Sequence, residues 1–246
     1  MKFEQIIDIT QLDGVEATSV KFKKYELQHV DMPDPINPCF GWYIQGIEME
    51  SEQSIQWSNT DLLASLLNLA EALNNDGIIG GSDRSFLEIS DDDIEHTAQR
   101  IIEWCYKWGL PMTDLYLLYE CNVSMFSISN FLSDLARLLL AYRTWSDYET
   151  NKPWYIYPPA QGSFICQYDG TKTQMLITMS SLIDVAGYHL VQIASKSDKN
   201  GNFINRCPGC GRLFAAKRKN QKFCRDPLSP MCDRRVYHRK NKETKL

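Results

Sequence analysis

Four cysteines in the last forty residues constrain this chain more than any other feature. Cys207 and Cys210 have two residues between them, and Cys224 and Cys232 have seven. Thiolates are soft ligands, and four of them at tetrahedral geometry close a structural zinc site. The first pair has knuckle spacing, and the Gly211 that follows lets backbone amides turn toward the sulfurs. The thirteen residues from Cys210 to Cys224 suffice for a short hairpin that returns to the metal. The pattern predicts one structural Zn2+ per chain on Cys207, Cys210, Cys224 and Cys232. The competing reading is four reduced cysteines in a basic tail.

Charge divides the chain at the same place. Residues 205–246 hold 13 Lys and Arg against 3 Asp and Glu, a formal +10. The first 204 residues hold 13 against 28, a formal −15, and the net −5 conceals the division. Zinc on four thiolates would leave the basic segment at about +8. Such asymmetry points to a polyanionic partner for the C-terminal end alone, because the acidic body repels nucleic acid.

A chain of 246 residues, 43% hydrophobic and 11% aromatic, has room for one sizeable core and a small module. It has no apolar run long enough to span a membrane. Met1-Lys2-Phe3-Glu4-Gln5 lacks the apolar core of a signal peptide. A cytoplasmic protein with no membrane partner is expected. Cys39, Cys105, Cys121 and Cys166 are scattered singly among apolar residues and read as small buried hydrophobes.

The body reads as mainly helical with a few strands near the N-terminus, hence α+β. Val20 and Phe22, then Tyr25 and Leu27, alternate with charged residues around a break at Lys24, and 42–49 reads as another strand. Leu62, Leu66, Leu69 and Leu73, flanked by Leu63 and Leu67, form a helical face. Asn59 or Thr60 is its N-cap and Asn74-Asn75-Asp76-Gly77 its stop. A second helix opens at Ser90 before three aspartates and buries Ile94, Ala98, Ile101, Cys105 and Trp108, ending at Gly109 and Pro111. A third covers 128–142, with Phe131, Leu132, Leu135, Leu138, Leu139 and Tyr142 inward. A fourth covers 182–193 on Leu182, Ile183, Ala186, Leu190 and Ile193. Between them Phe164, Cys166 and Tyr168 alternate as a short strand. The polar run from Ser195 to Asn202 has linker composition. The expected organisation is therefore 1–196 as a body for sensing or self-association into a homo-oligomer, 197–204 as linker, and 205–246 as a basic four-cysteine zinc finger.

Within the finger, Arg212, Leu213 and Phe214 are expected to form one hairpin arm, Lys217-Arg218-Lys219-Asn220 its tip, and Phe223-Cys224 the return. Residues 233–240 have no breaker and read as a helix opening at the last ligand. On it Arg234, Arg235, His238, Arg239 and Lys242 share one side. Knuckle, hairpin and helix together make a treble-clef-like arrangement with few apolar residues, so metal must supply most of its folding free energy.

The run Cys207-Pro208-Gly209-Cys210-Gly211-Arg212-Leu213-Phe214, then Lys222-Phe223-Cys224, then Cys232-Asp233-Arg234-Arg235 resembles the C-terminal module of CGNR-type zinc finger proteins. The last of these stretches stands where that family has Cys-Gly-Asn-Arg. The resemblance covers about 40 residues. It implies a largely helical N-terminal domain of the ABATE kind before the finger, and DNA-binding transcription regulation.

Three function classes follow. The first is zinc-dependent binding of DNA, with RNA as the variant. Lys217, Arg218, Lys219, Arg234, Arg235, Arg239 and Lys240 would contact phosphates, and Arg234 and Arg235 would reach base edges. The second is a protein-interaction module whose basic finger docks on an acidic surface. The third, an enzyme in the body, has least support, and the chain is expected not to be one. No G-x-S-x-G, H-E-x-x-H or P-loop occurs. The glycine-rich 77–82 lacks the phosphate-loop lysine, and Asp91-Asp92-Asp93 suits a helix N-terminus.

Overall fold

The computed structural model describes residues 14–32, 39–56, 59–79, 91–111, 124–146, 162–168, 173–179, 181–195, 203–218, 220–224 and 231–232. Among them four helices and seven strands form. The leucine-rich segment folds as α1 (Thr60–Asn75), with Asn59 as its N-cap, accepting from the Leu62 N–H at 3.1 Å. Its apolar residues do not stop at one face. Leu62, Leu63, Leu66, Leu67, Leu69 and Leu73 are all buried, with Ala64 and Ala70 between them. A helix apolar over so much of its circumference must be covered on several sides.

The second helix, α2 (Asp91–Trp108), buries the expected stripe of Ile94, Ala98, Ile101, Cys105 and Trp108. Ser90 lies outside the described residues. The Trp108 indole N–H donates to Ser65 Oγ at 2.9 Å, tying α2 to α1. Gly109 ends the helix at φ +85°, and a Cβ there would run into Ser19 Oγ and the Val20 carbonyl. Only glycine meets both demands, and the close approach lets the Leu110 N–H donate to Val20 O at 3.0 Å. The third helix, α3 (Ile128–Ser146), runs one turn past expectation and buries every residue anticipated for its inner face. The fourth, α4 (Leu182–Ser195), is more enclosed than a single stripe implies. From residue 182 to 194 all but Val191 are buried, including Asp184, His189 and Gln192.

The strands outgrow the expectation of a mainly helical body. β1 (Gly14–Met32) and β2 (Cys39–Gln56) form an antiparallel hairpin. β3 (Met125–Ser127) lines the outer edge of β2, while β4 (Gly162–Tyr168) and β5 (Thr173–Met179) extend the sheet beyond β1. The order is β3-β2-β1-β5-β4, antiparallel throughout except for the short parallel pairing of Gly14–Glu16 with Leu176–Thr178. The break inferred at Lys24 is real. Lys23 and Lys24 are both exposed, the buried positions shift phase from Val20 and Phe22 to Tyr25, and the pairing register slips between Lys21 and Phe22. The extra residue falls in β2, where Glu48 takes φ 56° and pairs with Lys23 at 3.0 Å. The sheet exceeds the expectation because the distal half of β2 is polar, and Met175-Leu176-Ile177 is too short to tell strand from helix.

A separate two-stranded ribbon follows, β6 (Phe203–Arg206) antiparallel to β7 (Leu213–Ala216). Its first strand therefore starts inside the stretch expected as linker. Ile204 is half-buried against the body, and Leu213 is buried within the body's own core. The N-terminal part of that stretch, 197–202, lies outside the described residues.

His189 shapes the pH response of this fold. It is 1% exposed, with Nε2 3.4 Å from Thr60 Oγ1 on α1, and burial lowers its pKa to about 4. Unfolded, the imidazole titrates near 6.5. Between those values the unfolded chain binds a proton that the folded chain refuses. The histidine's effect on stability is therefore absent above about pH 6.5, grows as pH falls, and levels off below about pH 4, for a total loss of roughly 3 kcal/mol. His189→Gln should flatten urea-unfolding free energies across that window relative to the parent chain; parallel curves would refute the assignment.

Candidate metal centre

The metal-ligand spacing of the sequence becomes a geometry through the ribbon. β6 delivers the chain directly into Cys207, and the knuckle closes as the Cys207 N–H donates to Arg212 O at 2.9 Å and the Gly211 N–H to Cys207 O at 2.8 Å. Gly211 sits at φ +77° to complete the reversal into β7. Cys224 and Cys232 then arrive from the C-terminal side. All four sulfurs lie within 4.8 Å of one another, with Cys210 Sγ 3.6 Å from Cys224 Sγ and Cys224 Sγ 3.7 Å from Cys232 Sγ. Sulfurs placed about 2.3 Å from one tetrahedral ion stand about 3.8 Å apart, whereas a disulfide needs about 2.05 Å. The four cysteines form no disulfide with one another and are spaced for a shared ion.

The surroundings favour charge on these sulfurs. Cys207, Cys224 and Cys232 are buried and Cys210 half-buried, with Phe214 and Phe223 packed alongside. Burial works against the Cys207 thiolate, but backbone N–H groups of Cys224, Cys210 and Gly209, with a further bond to the Cys224 sulfur, outweigh it and bring the thiol down to about 6. At Cys210 burial prevails and the pKa is raised. Four soft donors with no other ligand type make a closed site, suited to holding an ion rather than presenting it to a substrate.

Gly209 is a steric requirement of the centre. A Cβ on it would come within 2.6 Å of the Cys232 Cβ and 2.5 Å of the Cys232 carbonyl. The fourth ligand thus sits directly against the knuckle of the first two.

The return path differs from expectation. Arg212-Leu213-Phe214 does not pair with Phe223-Cys224 around a tip at Lys217–Asn220. Residues 213–216 pair backward with Phe203–Arg206, so the hairpin tip is the knuckle itself. The 217–224 segment is shaped by one side chain instead. Gln221 Oε1 accepts from the Lys217 N–H at 2.9 Å, its Nε2 donates to Phe223 O at 3.1 Å, and its own N–H donates to Arg218 O at 2.9 Å. Asn205 Nδ2 anchors this turn to β6 through Gln221 O at 2.8 Å. Side-chain amides here replace the ladder that the expected hairpin would have supplied.

Of the seven cations proposed to meet phosphate, Lys217 and Arg218 lie exposed on that turn. Lys219, Arg234, Arg235, Arg239 and Lys240 lie outside the described residues, as does the helix expected after Cys232. Among the four isolated cysteines, Cys105 is the one whose side chain is described. It is fully buried in apolar surroundings that push its thiol pKa up, as expected of a small core residue.

Sequence reasoning missed the ribbon's seat on α1. Asn68 Oδ1 accepts from the Leu213 N–H at 2.8 Å while its Nδ2 donates to Leu213 O at 2.8 Å, so one amide side chain imitates a neighbouring strand. One turn along, Glu71 receives both guanidinium arms of Arg206, Nη1 at 2.9 Å and Nη2 closer still. A polar residue within Leu66-Leu67-Asn68-Leu69 was the available signal.

No helix among the described residues is long and apolar enough to cross a membrane. No family model, curated protein or solved structure matches this chain.

Gly209→Ala should displace Cys232 and weaken metal binding by about 10- to 100-fold, the usual cost of disturbing the groups around a ligand set. Competition against a chromogenic chelator measures it, and an unchanged affinity would contradict the close packing described.

Proposed function

We propose that the chain is a structural-zinc protein that binds nucleic acid through its basic C-terminal segment, acting in the cytoplasm as a DNA-binding transcription regulator of the CGNR kind. The observation that carries this reading is the placement of exposed Lys217 and Arg218 on a turn built against the four-sulfur cluster. Zinc is the fitting ion because it accepts four thiolates at tetrahedral geometry without redox change. When bound it supplies a cross-link among Cys207, Cys210, Cys224 and Cys232, and no catalysis. The protein's own residues do the rest. Gln221 fixes the backbone of the turn, so its two cations meet a polyanion with little ordering cost. Lys219, Arg234, Arg235, Arg239 and Lys240 extend the same charge, and the formal −15 of the first 204 residues confines contact to this end. RNA satisfies the same electrostatics. The body is assigned no catalytic role and is left to sensing or self-association.

A second reading, docking on an acidic protein surface, draws on Arg206. That residue already spends its guanidinium on the carboxylate of Glu71.

Purified chain should contain one zinc per molecule by elemental analysis. Binding to duplex DNA should weaken linearly in log affinity against log salt, and the slope should lose about 0.9 per phosphate contact removed, so that Lys217→Ala with Arg218→Ala flattens it. No binding to any nucleic acid at low salt would shift the assignment to protein docking.

A further inference from the structure

We infer that metal occupancy is coupled to the body through α1, with Asn68 and Glu71 as positioning residues for a metal site they do not touch; this rests on the four sulfurs holding an ion.

The contacts with α1 bracket the knuckle. Arg206, immediately before the first cysteine, binds Glu71, and Leu213, three residues after the second, binds Asn68. The guanidinium of Arg206 does two things at once. Its Nη1 lies 2.9 Å from Glu71 Oε2 and 2.8 Å from the carbonyl of Gly211, which helps turn the chain behind Cys210. Leu213 reaches beyond the ribbon and joins the core of the body, at 3% exposure. Any movement of the knuckle is therefore felt at α1, and any movement of α1 at the knuckle.

The ribbon cannot hold this position unaided. A two-stranded antiparallel pair is marginal in water, and apart from the cysteines Leu213 and Ala216 are its buried apolar residues among those described. Without an ion, Cys224 and Cys232 keep to the knuckle through sulfur contacts of 3.6–3.7 Å and close packing against Gly209, which are far weaker than four metal–thiolate bonds. Release of the ion should free the ribbon, withdraw Leu213 from the core, and leave the mid-helix amide of Asn68 without its backbone partners. Linkage makes this reciprocal, since whatever docking contributes to metal affinity, metal contributes equally to docking.

The full-length chain supports a direct test. Its six tryptophans, Trp42, Trp57, Trp104, Trp108, Trp145 and Trp154, all precede residue 197, so indole fluorescence reports on the body alone. Zinc affinity is measured by chelator competition for the parent chain, Asn68→Ala and Glu71→Gln, with cobalt substitution to verify that coordination remains all-sulfur. Both variants should bind zinc about 5- to 150-fold more weakly, the usual range for coupled sites, with an unaltered cobalt spectrum. Chelation should lower the fluorescence-detected Tm of the parent body and lower it less in Glu71→Gln. If Asn68→Ala fails to fold, Glu71→Gln carries the measurement, because it keeps the side chain's size and sits at a partly open surface. Equal zinc affinity in a folded Glu71→Gln, or a parent Tm indifferent to chelator, would overturn the coupling while leaving the metal site intact. A parent chain that binds no metal would overturn both.

Discussion

The all-round burial of α1 is the constraint on which the rest of this structure depends. A sixteen-residue helix with six buried leucines needs cover on more sides than a sheet alone supplies. Helices α2, α3 and α4 and the β1–β2 hairpin share one continuous core with it, and the β6–β7 ribbon contributes Leu213 to that core. The two polar groups on the ribbon-facing side, Asn68 and Glu71, are both matched by partners on the ribbon. An amide that meets both the N–H and the C=O of one residue leaves no buried group unsatisfied, which makes a polar residue tolerable inside a leucine-rich helix.

The metal centre addresses a shortage of apolar material. The C-terminal segment is rich in cations and poor in core formers, so it cannot fold by burial alone. Four sulfurs stand at metal-sharing distances, and an ion among them would supply a few strong bonds where a core is missing. The centre then borrows further rigidity from the body through Arg206 and Leu213. The ribbon that carries the first two cysteines is thus seated on α1, although the charge map alone suggests two independent units.

That charge map still governs the functional reading. Among the described residues Lys217 and Arg218 of the Gln221-shaped turn form no ion pair, whereas Arg206 is neutralised against Glu71. A basic residue beside the knuckle that is spent on structure and two on the turn that face solvent divide the labour. The first holds the ribbon to α1, and the other two have the exposure that the proposed polyanion contact requires.

Much of this was written into the sequence. The leucine period announced α1, the stripe from Ile94 to Trp108 the second helix, and Gly109 its end, while Asn59 or Thr60 stood as the cap of α1 until the Leu62 N–H decided for Asn59. Cysteine spacing picked out all four sulfurs that the fold brings together, because residue type and local chain reversal are short-range properties. What the tertiary structure decided were the pairings between distant segments. Residues 203–206, polar in part and adjoining a linker-like run, became a strand only because β7 pairs with them. Asn68 and Glu71 acquired meaning only when Leu213 and Arg206, 145 and 135 residues away, came to rest on the same helix. Local pattern reports the period and the donor atoms. It carries no record of which backbone edge lies opposite, and that choice belongs to the fold as a whole.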